Sequence, residues 1–134
     1  MYLLDTNIWL ERMLEQARSE EVRRLLDQVP SDRLLITDFS LHSIGVILSR
    51  LNRRDEFLGF VRDLFIDGAV TLVSLEPIDM ERLVAVMDHF GLDFDDAYQY
   101  VAAERYEVEL VSFDGDFDGT ERGRVTPGEI IEAE

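Results

Sequence analysis

Leu4-Asp5-Thr6-Asn7 closes the apolar run Tyr2-Leu3-Leu4 with an acid. Tyr2 to Leu4 reads as a short buried strand, and Asp5 ends it. In open parallel α/β sheets the functional crevice lies beyond the carboxyl ends of the strands. A carboxylate at that point therefore faces a site and not a core. The question for the rest of the chain is which later acids join Asp5.

Outward from this stretch, Ile8, Leu10, Met13 and Leu14 predict a short helix starting near Thr6. Val22, Leu25, Leu26 and Val29 fall at helical spacing between Ser19, the expected N-cap, and Pro30, which ends the run. Arg33 to Thr37 reads as a second strand with Asp38 at its end. From Ser40 to Leu51, the residues Leu41, Ile44, Leu48 and Leu51 make one helical stripe. Phe57, Leu58, Val61, Leu64 and Phe65 make another, stopped by Asp67-Gly68 before a third strand, Val70 to Ser74. Asp79 is expected to cap a helix that turns Met80, Leu83, Val84 and Met87 inward and ends at Gly91. A helix from Phe94 to Tyr106 leads to a fourth strand, Glu109 to Ser112. Val125-Thr126 predicts a short edge strand, and Pro127 opens a final helix to Glu132. Strands alternating with helices predict right-handed crossovers and a parallel sheet covered on both faces, as one domain over residues 1–134.

With 134 residues and 46% hydrophobic content the chain can bury roughly two thirds of its unfolded surface. It has no cysteine, which excludes zinc–thiolate, thiol-nucleophile and redox chemistry. Against 29 acidic residues stand 13 basic ones, all arginine, for a net charge of −16. Such a chain repels nucleic acid at long range, so an RNA role must rest on a local arginine patch or on bound cations. Arg50, Arg53 and Arg54 form the strongest local positive charge. They read either as a solvated helix end near its negative dipole or as a contact for RNA phosphates. No basic segment precedes an apolar N-terminal core and no stretch reaches membrane-spanning length, so a soluble cytoplasmic protein is expected.

Three acids qualify as companions of one another: Asp5 after the first strand, Asp114 after the fourth, and Asp96 in the first turn of the helix that precedes the fourth strand. Singly, each has a plain structural use. Asp93 is an ordinary N-cap, and Asp95 and Asp96 suit a helix dipole. Converging in one volume, they would repel one another unless a cation were bound. Magnesium or manganese, which take oxygen ligands and keep reactive waters, would resolve that repulsion. Asp114, Asp116 and Asp118 followed by Gly119 also imitate the start of a calcium loop. The twelfth position is Val125, not Glu, and a strand precedes the loop, so an EF-hand is excluded.

Leu4-Asp5-Thr6-Asn7, Phe94-Asp95-Asp96-Ala97 and Leu110-Val111-Ser112-Phe113-Asp114-Gly115-Asp116-Phe117, in this order and spacing, resemble the PIN-domain family, and within it the VapC-type toxin nucleases. The resemblance spans essentially the whole chain, to Val125-Thr126-Pro127-Gly128-Glu129. It implies a three-layer α/β fold with a central parallel sheet flanked by helices. It also implies hydrolysis of RNA phosphodiesters with magnesium or manganese, a cognate antitoxin as partner, and a homodimer. The family's acids fall on Asp5, Asp96 and Asp114, with Asp116 as a further metal-site acid. Thr6, Asn7 and Ser112 match small polar positions that orient ligands or water. The family's acid on the helix after the second strand falls on Ser43, beside His42. Asp38 is then a candidate replacement, and His42 a candidate for phosphate contact or proton transfer. The missing acid keeps a second function class open, a catalytically weakened PIN-fold module that binds RNA or protein.

Overall fold

Four parallel strands, β1 (Tyr2–Leu4), β2 (Leu34–Thr37), β3 (Thr71–Val73) and β4 (Glu109–Val111), form one sheet in the order β3-β2-β1-β4. They are taken from a computed structural model that describes residues 1–133. The helices are α1 (Thr6–Met13), α2 (Ser19–Gln28), α3 (Asp38–Arg50), α4 (Arg54–Val61), α5 (Met80–Phe90), α6 (Phe94–Arg105) and α7 (Pro127–Ala133). From β1 the chain adds strands in one direction through β2 and β3, then returns to place β4 on the other side of β1. The order therefore reverses between β1 and β4, which is where an open α/β sheet carries its crevice. Asp5 and Asp114 both follow that pair of strands.

The strands are short, but their alternation divides the molecule into three layers. Leu3, Leu35, Val73 and Leu110 face one core together with Leu83 and Val86 of α5 and Tyr100 and Val101 of α6. Leu4, Leu34, Ile36 and Val111 point to the opposite core, with Ile8 and Trp9 of α1, Leu25 of α2, Ile44 and Leu48 of α3, and Phe60 of α4. Adjacent strand residues face opposite sides, so β1, β2 and β4 contribute to both layers, while the edge strand β3 contributes Val73 and leaves Leu72 exposed. Ala97, Ala102 and Ala103 are buried on α6, and their small side chains let that helix lie close to the sheet. This closeness carries the start of α6 to the sheet's carboxyl edge.

Several expected boundaries shift, each for a local reason. Helix α3 begins at Asp38, two residues before Ser40, because the Thr37 hydroxyl caps it by accepting the Ser40 N–H at 3.0 Å. Helix α4 begins at Arg54 and widens into a π turn over Arg62–Ile66, closed by the Asp67 N–H on the Arg62 carbonyl at 2.9 Å. A Cβ at Gly68 would lie 2.5 Å from the Asp63 carbonyl oxygen, so glycine is required to leave this turn. Ser19 is the first residue of α2 and does not cap it; its hydroxyl accepts from Arg12 instead. Asp79 pairs with Glu76 in a 3-10 turn over Pro77–Asp79 and makes no cap bond to α5. Leu58 and Val84, expected inward, are exposed, as is Leu51 at the end of α3. The edge strand expected at Val125-Thr126 reduces to a single parallel bridge between Val125 and Val111. Gly91 ends α5 as expected, with φ +70° at the position where a left-handed residue closes a helix. No helix among the described residues is long and apolar enough to cross a membrane.

Candidate metal centre

Asp5 is buried at the carboxyl end of β1 and accepts four hydrogen bonds. Its Oδ1 takes the Thr6 N–H at 2.8 Å and Gln99 Nε2 at 3.0 Å; its Oδ2 takes Ser112 Oγ at 2.7 Å and Asn7 Nδ2 at 3.4 Å. A carboxylate has about four lone-pair sites, so these donors hold its orientation. Burial pushes the Asp5 carboxyl above its ordinary value, against the pull of the Gln99, Ser112 and Thr6 hydrogen bonds, and the Asp114 charge adds to the rise. Ser112 Oγ also accepts from Asn7 Nδ2 at 3.2 Å and from the Asp114 N–H at 3.0 Å, while Asn7 Oδ1 accepts the Phe113 N–H at 3.2 Å. The end of β4 is thereby fastened to the start of α1.

Gln99 is the residue that sequence reasoning missed. It is 1% exposed and donates through Nε2 both to Asp5 and to Ser40 Oγ, at 2.7 Å, while its Oε1 accepts from Thr37 Oγ1 at 2.8 Å. Ser40 Oγ further shares a hydrogen bond of 2.8 Å with Thr6 Oγ1. The signal was present, because a glutamine between buried Ala97, Tyr100 and Val101 on one helix needs a buried partner. Its identity was not readable, since that partner lies on β1.

Asp96, Asp114 and Asp116 each bring a carboxylate oxygen within 4.8 Å of the others. Asp96 is placed by the start of α6, where the Asp93 carboxylate accepts its N–H at 2.8 Å in an N-cap. Asp114 receives the Asp116 N–H at 2.8 Å, so the 3-10 turn over Gly115–Gly119 brings both acids around to α6. No arginine forms a salt bridge with any of the three among the described residues. Burial, followed by the charges of Asp114, Asp93 and Asp5, pushes the Asp96 carboxyl up to about 7. An all-carboxylate set, half-buried at Asp96 and Asp114 and open to solvent at Asp116, fits a hard divalent cation such as magnesium or manganese.

The raised Asp96 value makes the metal-free protein's stability depend on pH. With a native value of about 7 against 3.8 in the unfolded chain, the native state keeps a proton that the unfolded state has lost. This contribution is complete below the unfolded value and is lost as pH rises through the native one; Asp5 acts in the same direction. Glu104 and Asp118, held low by Arg82 and Arg124, act oppositely, but only in more acidic solution. The melting temperature of chelator-treated protein is therefore expected to fall between about pH 5 and about pH 8. Saturating manganese should remove that fall, because the cation replaces the proton. A flat profile without metal would show that Asp96 is ionised throughout.

The remaining sequence candidates lie outside the trio. Asp38 is exposed at the start of α3 and accepts the Phe39 N–H at 2.8 Å and the Tyr98 hydroxyl at 2.7 Å. It does not cap α3, since Thr37 does. Ser43, to which the missing acid was assigned, has no hydrogen bond to the Asp5 network. Because α3 starts early, the residue of its first turn that enters this network is Ser40. His42 is exposed and lines, with Asp38, Leu41, Gly45 and Arg50 of α3 and Phe57 of α4, an open groove of about 650 Å³. Arg50 lies a helix length, about 18 Å at 1.5 Å per residue, from the acidic end of α3. Arg53 pairs with Glu56 at 3.6 Å, and Arg54 opens α4. The basic cluster is thus not beside the carboxylates. Two arginines do approach the end of β4: Arg124 donates to the Ser112 carbonyl at 3.1 Å and pairs with Asp118 at 3.0 Å, and the Arg18 guanidinium stands 4.6 Å from the centre of the Phe113 ring.

A family model described as the PIN domain matches residues 2–123. The chain belongs to the PIN-domain family. This PIN domain superposes on a toxin-antitoxin complex from Klebsiella pneumoniae with TM-score 0.76 at 23% identity, covering 95% of this chain and 98% of that one. It is similar to VapC20 of Mycobacterium tuberculosis, described as a Sarcin-Ricin loop cleaving toxin, with TM-score 0.77 at 16% identity over 93% and 98% of the two chains. It is also similar to FitAcB from Neisseria gonorrhoeae, with TM-score 0.73 at 19% identity over 96% and 99%. At these identities the likeness is one of fold. Among curated proteins no sequence matches significantly.

Proposed function

We propose that this PIN domain is a magnesium- or manganese-dependent ribonuclease that hydrolyses RNA phosphodiesters, and the toxin half of a toxin-antitoxin pair. The observation that carries the reading is the carboxylate trio Asp96, Asp114 and Asp116 at the β1/β4 reversal, with Asp5 held rigidly at the end of β1. Asp96, Asp114 and Asp116 would hold a divalent ion, with Asp5 adding its charge from the buried side. When bound, such an ion stabilises charge on a phosphoryl oxygen and lowers the pKa of a bound water. Thr6, Asn7, Ser112 and Gln99 would hold the Asp5 carboxylate in one orientation behind the three clustered acids, so that it acts on the ion through its charge. Family membership supports the nuclease, and the likeness in fold to a toxin-antitoxin complex supports an antitoxin partner; a cytoplasmic homodimer completes the proposal.

A second reading rests on Ser43, a neutral residue at the position where the resemblance places a family acid, which leaves the site one ligand charge short. The domain would then bind RNA or protein with little cleavage. Incubation of purified protein with total RNA and with structured ribosomal fragments, in magnesium, manganese or chelator, separates the two. Discrete cleavage products that vanish with chelator are expected. Intact RNA at saturating manganese, from protein that still binds it, would establish the second reading.

A further inference from the structure

We propose that the rings of Phe94, Tyr98 and Phe39 form a stacking platform for the bases of single-stranded RNA at the edge that carries the carboxylates. The inference rests on the ribonuclease reading and names how that site would hold its substrate. Phe94 is 47% exposed in the first turn of α6, two residues before Asp96, so about half of its surface is open to a ligand. Its ring centre lies 6.4 Å from that of Tyr98, which lies 5.8 Å from that of Phe39 in the first turn of α3. The interplanar angles of 35° and 40° make these tilted neighbours, with no perpendicular crossing to block the row. Tyr98 is fixed at its hydroxyl, which donates to Asp38 at 2.7 Å and accepts the Leu75 N–H at 3.0 Å. The middle ring is thus preorganised, and a ligand stacking on the row would lose little side-chain freedom.

Charge decides the class of contact. Asp38, Asp93, Asp95 and Asp116 are all exposed around this edge, the arginines Arg50, Arg53 and Arg54 gather at the far end of α3, and Arg124 beside the Asp114 turn is paired with Asp118 at 3.0 Å. Phosphate attraction, which supplies most nucleic-acid affinity elsewhere, is therefore weak here outside a bound cation. Base–aromatic stacking is the remaining strong contact, and it asks for unpaired bases.

The test uses the full chain and a fluorescein-labelled single-stranded oligoribonucleotide of about 12 nucleotides, with binding read by anisotropy in calcium and integrity checked on gels. Phe94→Ala is expected to weaken binding about tenfold while leaving the metal-induced rise in melting temperature unchanged. Phe94→Trp should retain affinity, and its emission should be quenched by the oligonucleotide, since Trp9 is buried and out of reach. The wild-type salt slope should be shallow, and the same RNA as a duplex should bind more weakly. Unchanged affinity in Phe94→Ala with unquenched Phe94→Trp would overturn the platform alone. A shift of Phe94→Ala to a smaller species on size exclusion, without loss of RNA affinity, would assign the face to contact between copies and overturn it too. Absence of RNA binding by the wild type in calcium, magnesium and manganese would remove the platform and the ribonuclease reading together.

Discussion

Asp96→Asn is expected to lower RNA cleavage by more than about 100-fold while raising the melting temperature of the metal-free protein. Loss of groups that merely support a metal ligand already costs about 10- to 100-fold, so loss of a ligand carboxylate should exceed that range. The stability change has the opposite sign because Asp96 meets the charges of Asp114, Asp93 and Asp5, and burial already disfavours its ionised form. Asparagine keeps the shape and removes the charge. In a domain of this size about 1 kcal/mol moves the melting temperature by roughly 4 °C, so a rise of a few degrees above neutral pH is expected. Manganese should then add less stabilisation to the variant than to the wild type. Full activity in the variant, or equal manganese stabilisation of both proteins, would place the ion elsewhere on this acidic surface.

Gln99→Leu should be the most damaging substitution at a position no motif marks. Leucine fills much of the same volume but withdraws one of the four donors of Asp5 and leaves Ser40 and Thr37 without their amide partner. Unpaired buried polar groups cost about 1–3 kcal/mol each, and more when charged, so a loss of about 3 kcal/mol is expected. Calorimetry at a temperature where the variant is folded should also show manganese affinity reduced about tenfold, as befits a residue that orients a carboxylate. Gln99→Glu separates orientation from charge. Once ionised it cannot donate to Asp5 and sets a second carboxylate against it, so above neutral pH the metal-free protein should be less stable than wild type while manganese stabilises it more. Manganese affinity equal to wild type in both variants would confine Gln99 to a packing role.

Strand and helix order was legible because it is written in local periodicity: Tyr2-Leu3-Leu4, Leu34 to Thr37 and Leu110-Val111 are apolar runs ended by polar residues, and Gly91 and Pro127 mark helix boundaries. The acids after β1 and β4 were legible for the same reason, and with no cysteine in the chain the candidate metal chemistry could not be that of thiolates. Their grouping was not. Periodicity gives the apolar face of a helix but not the angle at which packing turns that helix against the sheet. Thus Leu58 and Val84, in phase with their helices' apolar residues, ended in solvent. A capping hydroxyl at Thr37 started α3 two residues before the expected Ser40, and Ser40 itself bonds Gln99, a contact no local pattern marks. Gln99 meets Asp5 across 94 positions of chain, and only the passage of β4 to the far side of β1 makes them neighbours. The sequence by itself determined which residues end strands and carry charge, since each is settled within a few positions of chain. Tertiary structure decided that Asp96, Asp114 and Asp116 share one volume, because distance between carboxylates depends on how layers stack and not on their order.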